Sequence, residues 1–163
     1  MSRGVEGKSK RCIELIDLVR VLPREQRVWR VLEFEAFGGR EFSEIEEGAS
    51  SDVSGYRLSE DELLEVASSV DQTINAVVVA ANGDSEFSCL LGSGSSGQFS
   101  REIFKCLEVV AESNEAEGEV EVDIGKYERC RVIIDIHDSS SVTLGINADV
   151  PGWAGTLSAF AKI

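Results

Sequence analysis

Three stretches hold residue types at spacings that chemistry uses. The first is SCLLGSGSSGQFS, Ser88 to Ser100, with Gly92-x-Gly94-x-x-Gly97 between an apolar run and a candidate helix. Glycines so spaced let backbone approach a pyrophosphate, provided the flanking strands run parallel and the crossover helix points its N-terminus at the ligand. Here Asn82-Gly83 ties the preceding run into an antiparallel hairpin. The acid that would hold a ribose is misplaced, because Glu117 precedes the next candidate strand, and only 66 residues remain beyond Gly97. A phosphate loop would also need Lys-Ser or Lys-Thr where Gln98-Phe99 stands. The expectation is a strand-to-helix connection with Ser96 or Gly97 near the helix cap. The alternative is a small nucleotide- or phosphate-binding enzyme that uses the Gly92–Gly97 loop.

The second stretch is Ile134-Asp-Ile-His-Asp138. On a strand, Asp135 and His137 share a face with Arg131 further along it. One His and one carboxylate are too few for a metal centre or an acid–base pair. Arg129 and Arg131 would lie opposite Glu119, Glu121 and Asp123 across the Gly125 turn, so cross-strand charge pairing accounts for this polar face. The third set is Cys12, Cys89, Cys106 and Cys130, widely spaced among apolar neighbours and without a CxxC pair. They read as reduced, buried thiols of a cytoplasmic protein rather than as zinc ligands, a disulfide framework or nucleophiles. No catalytic residue, metal or cofactor is expected.

Leu22-Pro-Arg-Glu-Gln-Arg27, Leu32-x-Phe-x-x-Phe37 and Phe42-Ser-Glu-Ile45 resemble the opening of the promoter-reading C-terminal region of bacterial sigma factors, over about 25 residues. The resemblance implies helix-turn-helix DNA binding, which needs a recognition helix next. The stretch that follows is EEGASSDVSGYRLSEDE, acidic and loop-like, whereas phosphate contacts require cations. No nucleic-acid partner is expected.

The elements that would position these groups can be read in order. Residues 1–9 read as a flexible tail, and residues 10–163 as a single α+β domain. Cys12, Leu15, Ile16, Val19 and Leu22 fall at helical spacing before Pro23. Val28 to Phe37 pulls both ways. Its β-branched and aromatic content favours a strand, while the Pro start and the Gly38-Gly39 stop favour a helix, and the reading inclines to helix. Residues 40–57 read as an exposed acidic loop. Ser59-Glu-Asp-Glu62 is a capping box, predicting a helix to about Val70. Thr73 to Ala81 is β-rich and should pair antiparallel with 85–91 through Asn82-Gly83. Phe99, Ile103, Leu107 and Val110 mark a helix. Glu119–Ile124, Arg129–His137 and a run containing Val142, Leu144, Ile146 and Ala148 form a meander. Pro151-Gly152 breaks the chain before a short apolar helix or strand from Trp153. The predicted fold class is α+β: an antiparallel sheet of about five strands, a hairpin plus a C-terminal meander, with helices mainly on one face.

The chain has 163 residues, 42% of them hydrophobic and 28% charged, which suits a globular domain. No run of about 18 apolar residues predicts a membrane span, and the first residues hold no apolar stretch of signal-peptide type. Net charge is -14, unevenly spread: residues 1–30 carry +4 and residues 31–163 carry -18. Leu32 to Asp71 holds twelve acids and two Arg, interleaved with Phe34, Phe37, Phe42 and Tyr56. A second run, Glu102 to Glu128, holds nine acids and two Lys. Such a surface repels nucleic acid and anionic membranes and attracts basic proteins. The expectation is a bacterial, cytoplasmic immunity protein or antitoxin that binds a basic, nuclease-type toxin directly. The expected contacts are Glu41, Glu44, Glu46, Glu47, Asp52 and Tyr56.

Overall fold

The computed structural model describes residues 2–7, 13–51, 55–81, 83, 131–138, 141–147 and 150–160. These form ten elements in chain order: β1 (Ser2–Gly7), α1 (Leu15–Val21), β2 (Val28–Gly38), α2 (Ser43–Ser51), β3 (Tyr56–Ser59), α3 (Glu60–Ser69), β4 (Val70–Ala81), β5 (Val132–His137), β6 (Ser141–Asn147) and α4 (Trp153–Phe160). The six strands make one antiparallel sheet in the order β1-β6-β5-β4-β2-β3. The fold is α+β. Among the described residues no helix is long and apolar enough to cross a membrane.

The core follows the two-residue period of the strands. Ala76, Val78 and Ala80 of β4, Val132, Ile134 and Ile136 of β5, and Val142, Leu144 and Ile146 of β6 enter one apolar cluster. Leu15 and Leu18 of α1, Ile45 and Ala49 of α2, Leu63, Val66 and Ala67 of α3, and Phe160 of α4 complete it. The alternate residues Val77, Val79 and Ala81 are buried as well, so β4 is covered on both sides.

Four expectations are corrected. Residues 2–7 are not a flexible tail: Ser2 to Gly7 pairs with Asn147 to Val142 as an edge strand. SRGVEG lacks apolar alternation, and what holds it is the backbone ladder that the edge of β6 offers. Val28–Gly38 is a strand, not a helix. Trp29, Val31, Phe34 and Ala36 enter the core cluster, and the register slips between Val31 and Glu33. That bulge inserts Leu32, and the Pro and Gly-Gly signals that pointed to a helix here flank a strand instead. A strand here also removes the helix-turn-helix geometry that the sigma-factor resemblance implies. Residues 40–57 are not all loop: Ser43–Ser51 is α2 and Tyr56–Ser59 opens β3. Ile45 and Ala49 are the buried stripe of α2, and Phe42 just before it is buried too, three apolar groups in an otherwise polar segment. Finally, both edges of β4 from Ala76 to Ala80 are occupied, by β2 and by β5. Residues 85–91, the expected hairpin partner, lie outside the described residues, as do the expected helix over 99–110 and strand over 119–124.

Other expectations hold. The helix before Pro23 is α1. Its first turn is tied down by the Asp17 carboxylate, which accepts from the Glu14 N–H at 3.0 Å, and by the Glu14 carboxylate, which accepts from the Thr73 N–H at 2.7 Å. The capping box forms: the Ser59 N–H donates to Glu62 at 2.7 Å and the Glu62 N–H donates to Ser59 Oγ at 3.3 Å. β5 and β6 form the C-terminal hairpin, with His137 opposite Ser141, and α4 follows Pro151-Gly152.

Candidate partner-binding surface

The acids expected to bind a partner are positioned by two helices and the short strand between them. Phe42 anchors the entry to α2, packing edge-on against Phe34 of β2 with centroids 5.5 Å apart. With Ile45 and Ala49 turned inward, Glu47 falls on the far side of α2, with Glu44 and Glu46 on its two shoulders. Glu41, Glu44 and Glu47 are exposed, and Glu46 is half-buried.

Tyr56 joins this helix to α3. Its backbone sits opposite Val31 on β2 and its ring packs on the apolar core. A Cβ on Gly48 would run into that ring, so the glycine in α2 gives the ring its seat. Ahead of it, Gly55 turns the chain with φ +70, close under the Val31 carbonyl. The Tyr56 hydroxyl donates to Glu44 Oε1 at 3.1 Å. Burial, the hydrogen bond to Glu44 and the charges of Glu44 and Glu62 raise its pKa, against a smaller lowering by Arg40. The hydroxyl therefore remains a donor at neutral pH.

Glu62 lies on the other flank. The Ser59 backbone N–H and hydroxyl hold its carboxyl below the usual carboxylate range, so it stays ionised. Two basic residues act on this group, Arg57 on Glu62 and Arg40 on Tyr56. Arg40 stacks over Phe42 at 5.7 Å and lies 3.9 Å from Glu65. Both of its partners leave it largely in water, where such pairs contribute little. The arrangement is a phenol held between Glu44 and Glu62, with further carboxylates on α2. It can accept hydrogen bonds from ammonium and guanidinium groups.

The structure thus brings Glu44 and Tyr56 into contact, with Glu41, Glu46 and Glu47 on the same helix or at its entry. Asp52 and the Gly92–Gly97 loop lie outside the described residues. Of the four aromatic residues interleaved with the acids, Phe34 and Phe42 are core and Tyr56 is half-buried. Phe37 is 63% exposed, at the end of β2 that leads into α2. Sequence reasoning did not single out Glu62 or Glu65, although the capping box had already placed Glu62 in the first turn of a helix.

Asp135 is found where the sequence did not place it. Instead of lying on an open polar face with His137, it is buried, 3% exposed, opposite Val77 and Thr143. His137 is exposed. Arg131 pairs with Glu25 at 3.5 Å, and its expected partners Glu119, Glu121 and Asp123 lie outside the described residues. Among the described residues no group of three or more His, Cys, Asp or Glu is arranged to hold a metal ion.

The chain matches no protein-family model, no curated protein and no solved structure.

Proposed function

We propose that this chain is an acidic binding protein that neutralises a basic protein, as an immunity protein or antitoxin does with a nuclease-type toxin. The observation that carries the reading is the contact of Tyr56 with Glu44. It ties α2 to β3, so that one carboxylate from each of α2 and α3, Glu44 and Glu62, bears on a single aromatic group. Carboxylates held this way stand in for the phosphates that a nuclease groove is built to receive. A fixed Tyr supplies contact area at low entropic cost. Opposite potentials speed encounter, and this benefit fades with salt. The assignment to the immunity or antitoxin class rests on charge and size, which is analogy rather than a motif.

The test is co-purification. The tagged chain is recovered from its native cells at low salt, beside a variant carrying E44K, E46K and E47K, and co-eluting proteins are identified by mass spectrometry. The expected result is a basic protein that elutes with the parent chain and is lost from the variant. A co-eluting set that is acidic, or unchanged by the triple reversal, overturns the reading.

A further inference from the structure

A second feature lies on the side of the sheet away from the apolar cluster. A row of residues crosses it in register: Glu33 on β2, Val77 on β4, Asp135 on β5 and Thr143 on β6, with Glu6 of β1 opposite Thr143. Asp135 is in the middle of this row. It is 3% exposed, and its Oδ1 has no hydrogen-bond partner. Val77 and Ile133, both buried, stand beside it. Among the described residues no cation is paired with this carboxyl group, and burying an uncompensated charge is among the costliest arrangements in a protein.

The charged groups near it on that side can be named among the described residues. From β2 come Glu33, which is exposed, Glu35, which accepts from Asn75 at 2.9 Å, and Arg30, which stands opposite Val79. From β5 come His137 at its end and, just before it, Arg131, which is engaged by Glu25. β4 and β6 contribute Val77 and Thr143, neither of which titrates. Among the described residues the charge that bears on Asp135 is that of Glu33, and it has the same sign.

We propose that Asp135 is a proton switch built into the central sheet: its buried place between β4 and β6 holds it as the neutral acid, and its ionisation destabilises β5 in the sheet. Burial first, and the Glu33 charge second, push its pKa up to about 7, consistent with the geometry. The folded value lies above the unfolded one. The stabilisation is therefore complete in acid, and is lost as pH rises from the ordinary carboxylate range through the folded value.

The experiment measures urea denaturation of the full chain between pH 4.5 and 8.5 for the parent, D135N and E33Q. Hydrogen-exchange protection of residues 132–137 is followed in parallel. Relative to D135N, the folding constant of the parent is expected to fall by up to about tenfold per pH unit below pH 7 and to level off above it. Protection of β5 should fall with it. In E33Q the fall should level off at a lower pH, because the like charge is gone. Parallel pH profiles for the parent and D135N overturn the proposal. Should D135N fail to fold, carboxyl-carbon NMR of the parent decides. One Asp titrating near neutrality supports the switch, and all of them titrating below pH 5 overturns it.

Discussion

The indole N–H of Trp29, buried at the start of β2, donates to Glu60 Oε2 at 2.6 Å across 31 residues of chain. The same carboxylate group lies 3.6 Å from Arg27, whose guanidinium stacks on the Trp29 ring at 5.8 Å, reaches Glu25 at 3.3 Å and donates to the Pro23 carbonyl. Glu25 in turn reaches Arg131, just before β5. One ionic cluster thus pins the Pro23–Arg27 connection to the first turn of α3 and the start of β5. Arg27 is only 3% exposed, so its charge depends on these partners.

Removing Glu60 should therefore cost more than a surface change. Glu60→Ala leaves a buried indole N–H without its acceptor and weakens the pairing of a buried guanidinium. A loss of about 1–3 kcal/mol is expected. Urea denaturation followed by Trp fluorescence reads it. Glu60→Gln, which keeps an acceptor for the indole, should recover part of the loss. An effect within about 0.5 kcal/mol, the usual range for surface substitutions, would mean that the cluster is not holding α3 in place.

The N-terminus of α3 offers a pH-resolved prediction. Ser59→Ala removes the acceptor for the Glu62 N–H and should cost about 1 kcal/mol at neutral pH. Glu62 is held below its ordinary pKa in the fold, so its contribution is present above the unfolded value and is lost as pH falls through the folded one. The gap between parent and variant should accordingly narrow below about pH 4. Thermal melts at pH 7 and pH 3.5 measure it. A constant gap would mean that Glu62 is held by the Ser59 backbone N–H, which the variant keeps, and not by the hydroxyl.

What the sequence disclosed and what it withheld follow from the range of the forces involved. The capping box at Ser59 and Glu62, the helix before Pro23 and the β5–β6 hairpin are local patterns, and all three are present. The helix expected over 28–37 rested on Pro23 and Gly38-Gly39, signals that bound a strand equally well, whereas the pairing with β3 and β4 that makes it a strand comes from distant residues. β1 was misread because its ladder is supplied by β6, more than a hundred residues away. The acids of α2 were legible as a charge excess. The meeting of Glu44 and Glu62 at Tyr56 was not, because it depends on the ring seated against Gly48. Asp135 looked like a surface residue because alternation distinguishes two faces but not whether the second is covered.

Gly48 tests that seat. Gly48→Ala adds a methyl group where the Tyr56 ring lies, against the ordinary gain of about 1 kcal/mol for Ala over Gly within a helix. Overpacking costs of about 1–3 kcal/mol should outweigh that gain, so the variant should be less stable despite its better helix former. Gly48→Ala combined with Tyr56→Ala should recover the helical preference, which a double-mutant cycle measures. If Gly48→Ala alone stabilises the chain, the ring moves aside at little cost and Tyr56 is not a rigid anchor.

The acidic surface makes a prediction about independence. Glu41, Glu44 and Glu47 are exposed, and Glu46 is half-buried on the same helix. Reversing Glu44, Glu46 and Glu47 to Lys removes the Tyr56 hydrogen bond but no core contact. Relief of like-charge crowding offsets part of that loss, so the thermal midpoint should move by no more than a few degrees. Phe37→Ser should likewise leave folding intact, since the ring is 63% exposed and buries little. Against a co-purified basic partner the two variants should separate. The charge reversal should slow association and flatten its salt dependence, whereas loss of an aromatic anchor should speed dissociation. Surface plasmon resonance at two salt concentrations distinguishes these effects. If both variants bind as the parent does, the partner docks elsewhere. If the triple reversal unfolds the chain, the carboxylates of α2 are structural and the partner reading loses its basis.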